Sequence, residues 1–205
     1  YKSIAGFDSP ASWELREEIH TQDALSTLAG NNSEKAWEIR RKFLEESRDA
    51  KVSNLLRSLI GLDGKEAWSI RNYVLARGYG EGALLESLAG LDSKEAWEMR
   101  RKITGGLTRL EAGERSWTEA VLFSIAGLDS KEAWNLRKKI LETRWRRDML
   151  IFFMAETLYG IDSEEAWEMR KNLDPEMLLE SLALLDSEKA WELREEALRG
   201  DTSGN

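Results

Sequence analysis

The nonapeptide AGLDSKEAW occurs twice, at Ala89–Trp97 and Ala126–Trp134, and five looser copies surround it: AGFDSPASW, AGNNSEKAW, IGLDGKEAW, YGIDSEEAW and ALLDSEKAW. In all seven, the Trp is followed two residues later by an apolar residue and three residues later by Arg. A segment written seven times in 205 residues restricts the chain to architectures that stack one small unit. The anchors are Trp13, Trp37, Trp68, Trp97, Trp134, Trp167 and Trp191, spaced 24, 31, 29, 37, 33 and 24 residues apart. Stacked helix pairs tolerate this variation because extra residues enter the connections. Strand repeats tolerate it less, and the Gly, Pro and β-branched punctuation they need is sparse here.

Each repeat reads as two helices. In the fourth, Leu84, Leu85 and Leu88 fall at helical spacing and Gly90 supplies a left-handed stop. Asp92 reads as the N-cap of a second helix, with Glu95 completing a capping box. The glycine recurs as Gly6, Gly30, Gly61, Gly127 and Gly160, with Leu184 in its place in the seventh repeat. The cap recurs as Asp8, Asn32, Asp63, Asp129, Asp162 and Asp186, and Asp174-Pro175 is a further helix start.

On the second helix, the positions one before, two after and six after the Trp lie close together on the wheel and read as the core face. The Arg three after the Trp (Arg16, Arg40, Arg71, Arg100, Arg137, Arg170 and Arg194) falls inside the apolar arc. A buried guanidinium without partners is very costly. Each Arg is therefore expected to reach an Asp cap, or helix-end carbonyls, in its own or the next repeat. The Trp fills the seam between repeats, and the planar fork of Arg suits both tasks.

This pattern of helix pairs, turn Asp and second-helix Arg resembles the HEAT-like class of α-solenoids along essentially the whole chain. The resemblance implies a ladder in which a turn Asp and an Arg of the second helix tie neighbouring repeats. The chain departs from the usual HEAT form in its short first helix and in the Arg lying eight residues after the Asp. The expected fold is an all-α right-handed solenoid of about seven αα-hairpin repeats, a single domain over 1–200 with a polar tail at 201–205. Because YKSIAG enters a repeat part-way through, the chain reads as a piece of a longer protein.

Composition narrows function. With no cysteine and a single histidine, His20, neither thiolate nor histidine-based metal sites are expected, nor any cofactor. The most apolar run, MLIFFM at 149–154, falls far short of the roughly 18 residues of a membrane span. A net charge of −8 argues against a dedicated nucleic-acid-coating surface. The expectation is a non-catalytic protein-interaction or scaffolding module, placed in the cytoplasm. Its candidate contacts are the charged pairs Arg41-Lys42, Arg101-Lys102 and Lys138-Lys139, which an acidic partner segment would suit. Ordinary helix electrostatics also explains these bases, since they lie late in their helices and include the spacings Glu38–Lys42 and Glu98–Lys102. A rival reading is nucleic-acid binding by that stripe together with Arg144, Trp145, Arg146 and Arg147. Another is an enzyme with a carboxylate site in the concave groove.

Overall fold

The computed structural model describes residues 7–19, 21–46, 52–78, 80–105, 115–142 and 147–200. They form thirteen helices: α1 (Pro10–Glu17), α2 (Thr21–Ser26), α3 (Glu34–Glu46), α4 (Val52–Arg57), α5 (Lys65–Ala76), α6 (Glu81–Glu86) and α7 (Lys94–Thr104), then α8 (Arg115–Ser124), α9 (Lys131–Leu141), α10 (Arg147–Glu156), α11 (Glu164–Arg170), α12 (Pro175–Ser181) and α13 (Glu188–Gly200). From the second repeat onward each repeat is one pair, from α2/α3 to α12/α13, and α1 is the second helix of the first repeat. The chain divides into two compact bodies, residues 1–103 and 104–205. Within the first, α2 packs on α4 and α4 on α6; within the second, α8 packs on α10 and α10 on α12. First helices thus stack on first helices, and each body is a helical-repeat, solenoid-type arrangement.

The first helices end for a local reason, in α2, α4 and α6 after only six residues. In α6, Ser87 follows the last helical residue, and its hydroxyl donates back to the Leu84 carbonyl at 2.7 Å. The chain then tightens into bonds spanning three residues, Leu88 N to Leu85 O at 2.9 Å and Leu91 N to Leu88 O at 3.0 Å. Gly90, at φ 75°, turns it into the second helix. Thr27, Ser58, Ser124, Thr157 and Ser181 repeat the back-bond. In the seventh repeat Leu184 adopts φ 67° without the freedom of glycine.

Two expectations need correction. The second helices begin one residue later than the sequence suggests. Their N-caps include Ser9, Ser130 and Ser163, so the Asp sits outside the helix and closes no capping box with the Glu that follows. A genuine box forms in α1, between Ser9 and Ser12, and Asp174 caps α12 through the Met177 amide. The buried arc is also less regular than expected. The residue before each Trp is buried throughout, and Phe43, Val74, Ile103 and Ile140, six after it, are buried; the residue two after it ranges from the buried Ile70 and Met99 to Leu15, which is 47% exposed. From Arg16 to Arg170 the Arg is enclosed almost as completely as the residue before the Trp.

Because Leu184 is 87% exposed, replacing it with Gly removes strain and little packing. Leu184→Gly should raise stability by about 1 kcal/mol in denaturant titrations. A loss of stability would show that the left-handed leucine is not strained.

Candidate functional site

The repeated side chains meet at the joints between neighbouring repeats. In the joint from the third repeat to the fourth, Arg71 makes four bonds. Nη1 donates to the Leu62 carbonyl at 2.8 Å and Nη2 to Leu59 O at 2.9 Å, both in its own turn. Across the joint, Nε donates to the Ser87 hydroxyl at 3.1 Å and Nη2 to the Ser87 carbonyl at 2.8 Å. Arg137 repeats the set with Leu128, Ile125 and both oxygens of Thr157. Arg170 does so with Ile161, Leu158 and Ser181. Arg40 bridges Leu28 O and Ser58, and Arg16 reaches both oxygens of Thr27.

Burial pulls Arg40, Arg71, Arg100, Arg137 and Arg170 down to about 10, with nearby carboxylates (Glu66, Asp63, Asp92, Asp129 and Asp162 in turn) offsetting part of that cost. That is far enough above neutrality for all five to carry their charge at pH 7. The hydrogen-bond partners of Arg40, Arg71, Arg137 and Arg170 are uncharged: main-chain carbonyls at the end of the short helix, and hydroxyls that already donate elsewhere. A hydroxyl bonded back to its own helix has its lone pairs free to face the guanidinium.

The turn carboxylate has a different partner. Asp129 accepts the indole N–H of Trp134 at 2.8 Å, and Asp8, Asp63, Asp92 and Asp186 do the same for their own Trp. Asn32 serves Trp37 at 2.9 Å. With Ser130 as N-cap, Asp129 and Trp134 hold the two positions that form an apolar staple in other helices, here joined by a hydrogen bond. The carboxylate also reaches the next repeat, where the cap hydroxyls of Ser93, Ser163 and Ser187 donate to Asp63, Asp129 and Asp162. Each Arg lies 4.5–4.8 Å from the ring centre of its own Trp. The hydroxyl partners were readable in the sequence as a Ser or Thr three residues before every turn Gly or Leu184.

Arg41, Lys42, Arg101, Lys102, Lys138 and Lys139 are all exposed. Arg41 pairs with Glu34 on its own helix, and Glu98 pairs with Lys94 at 3.8 Å. Arg144, Trp145, Arg146 and His20 lie outside the described residues. The backbone of Arg147 begins α10, and its side chain lies outside them as well.

In the second body a cleft of about 620 Å³ opens over α10, between α9 and α11. Leu141, Ile151, Met154, Met169 and Leu173 give it an apolar lining. Lys138 stands on the α9 side; Glu164, Glu165 and Glu168 stand on the α11 side. Glu164 and Glu165 occupy the first turn of α11, where the helix dipole favours acids, and Glu168 pairs with Lys171. Glu156, which does not line the cleft, is pushed up by burial and further by Glu180 and Glu119. Among the described residues no group of three or more His, Cys, Asp or Glu could hold a metal ion. No helix among them is long and apolar enough to cross a membrane.

No protein-family model, curated protein or solved structure matches this chain.

Arg137 and its neighbour Lys138 give a direct contrast, one buried in the joint and one exposed at the cleft. Arg137→Ala should cost about 3–5 kcal/mol, because it strips several buried acceptors of their donor. Lys138→Ala should cost under about 0.5 kcal/mol. Equal costs in chemical denaturation would contradict the burial of the ladder.

Proposed function

We propose that the chain is a non-catalytic protein-interaction or scaffolding module, and that the α9–α10–α11 cleft is its docking site. The supporting observation is a division of labour. The repeated Trp, Arg and Asp are spent on one another and on the neighbouring repeat, which leaves little of them for a ligand. The cleft includes one of them, the largely buried Trp134, in its lining, and otherwise offers apolar side chains under a charged rim, the composition of a site that grips a side chain of a partner.

In this reading the partner contributes an extended or helical segment with an apolar anchor for the Met154–Met169 floor. A carboxylate on that segment would meet Lys138, with Lys139 exposed next to it in sequence. The array is taken as a right-handed solenoid of seven repeats acting in the cytoplasm, with Arg41, Lys42, Arg101 and Lys102 as further exposed contacts. The rim carboxylates are assigned to helix-dipole and ion-pair roles, not to acid–base chemistry.

Affinity capture of partners with the whole chain tests this reading, repeated with Leu141→Glu and with Lys138→Glu/Lys139→Glu. Leu141 is 39% exposed at the cleft, so its substitution should leave the thermal midpoint within a few degrees. Capture should fall at least tenfold for Leu141→Glu and measurably for the lysine pair. Undiminished capture by both folded variants would overturn the cleft assignment.

A further inference from the structure

The walls of the α9–α10–α11 cleft carry charges that the chain itself leaves unused. Glu164 and Glu165 stand on the α11 wall and Lys138 on the α9 wall. All three are exposed, and among the described residues their side chains form no ion pair. Glu168, on the same wall as the two acids, is already spent on Lys171. The helix dipole accounts for acids in the first turn of α11, but it does not occupy their oxygens.

In other joints the chain answers these charges itself. Counting from the Trp anchors, Lys138 lies four after Trp134 and Glu165 two before Trp167. In the joint of α1 with α3, those two places belong to Glu17 and Lys35, which bond at 3.0 Å. The Lys35 ammonium also lies 5.0 Å from the ring centre of Trp13. In the joint of α3 with α5, they belong to Arg41 and Glu66, and Arg41 is raised first by its bond to Glu34 and further by Glu66. Between α9 and α11 the corresponding Lys138 and Glu165 do not bond. Both instead line the cleft, together with the apolar Met154 and Met169.

We propose that the segment docking in this cleft presents a helix face on which a Lys or Arg lies one turn from the apolar anchor, with the base held by Glu164 and Glu165. That assignment holds only if the cleft is the docking site. Charge complementarity selects the base: Glu164 and Glu165 together outweigh Lys138, and covering them with an apolar or acidic surface would strand their charge. The long stem of a Lys or Arg covers apolar wall while its charged end stays at the rim. An acid on the opposite flank of the segment meets Lys138. Because the two charges stand on opposite walls, such a segment is accepted in one orientation. A cleft of about 620 Å³ admits a few side chains and not a whole helix, so recognition runs through one helix face. The flexible thioethers of Met154 and Met169 suit anchors of differing shape.

A displayed library of short helix-forming peptides of random sequence, selected on the full chain, supplies the probe. Enriched peptides should pair Leu, Phe or Met with Lys or Arg one helical turn away. The best of them, synthesised, should bind about tenfold more weakly to Leu141→Glu. Binding should weaken at least about threefold for Glu164→Gln/Glu165→Gln, with both variants keeping their thermal midpoints within a few degrees of the parent. Exchanging the peptide's base for Glu should weaken binding to the parent chain and restore it to Glu164→Lys/Glu165→Lys, which a purely structural role for these acids would not reproduce. Peptides that need Leu141 but carry no base, or that ignore the loss of both carboxylates, would overturn the inference and leave the cleft reading intact. A library that yields no binder sensitive to Leu141→Glu would overturn the cleft reading itself, and the basic partner with it. A dimer in sedimentation that Leu141→Glu dissolves would assign the cleft to a second copy of the chain instead.

Discussion

A buried guanidinium, shared between the turn of its own repeat and the hydroxyl of the next, is the interaction on which this molecule depends. Taking such a group out of water costs several kcal/mol, which attraction recovers only when the geometry is good and the donors are satisfied. Arg71, Arg137 and Arg170 meet that condition with four bonds each. Main-chain carbonyls supply most of the acceptors. These carbonyls belong to the short first helix and the turn after it, where a helix leaves acceptors unmatched. The Arg therefore serves as a C-terminal cap for two neighbouring helices at once, and losing it would strand both ends.

The local nature of this joint explains how the chain varies its connections without losing the stack. The essential parts are the last turn of the first helix, the left-handed residue, the Asp-Ser step and the first two turns of the second helix. They span sixteen residues, from Ser87 to Lys102, as in SLAGLDSKEAWEMRRK. Whatever lies between one second helix and the next first helix can lengthen, so Trp spacings of 33 and 24 residues coexist within the second body. The same economy sets where function can reside. Side chains locked into joints are poor candidates for recognition, while the cleft beside α9 presents chemistry that the stack leaves open.

The helix pairs, the left-handed glycines and the enclosed Arg were legible in the sequence, because periodicity and Gly placement report backbone geometry directly. The role of the Asp was misread for a physical reason. In an Asp-Ser step both residues are good N-caps, and nothing local reveals that the indole five residues later draws the carboxylate out of the capping position. Ser87 and its equivalents were overlooked because a lone hydroxyl in an apolar helix looks like a tolerated polar residue. Its meaning appears only when the neighbouring Arg is placed against it. The cleft could not be read at all. It depends on how far α9 and α11 stand apart over Ile151 and Met154, a distance that no single repeat encodes.

A double-mutant cycle between Arg71 and Ser87 tests the shared guanidinium most directly. The two side chains lie in consecutive repeats and touch through Nε and the hydroxyl at 3.1 Å. Arg71→Met and Ser87→Ala, singly and together, should show a coupling energy of about 1–3 kcal/mol in chemical denaturation, as for partners in one hydrogen-bond network. Costs that add to within about 0.5 kcal/mol would mean that the two residues act independently and that the ladder does not hold the repeats together.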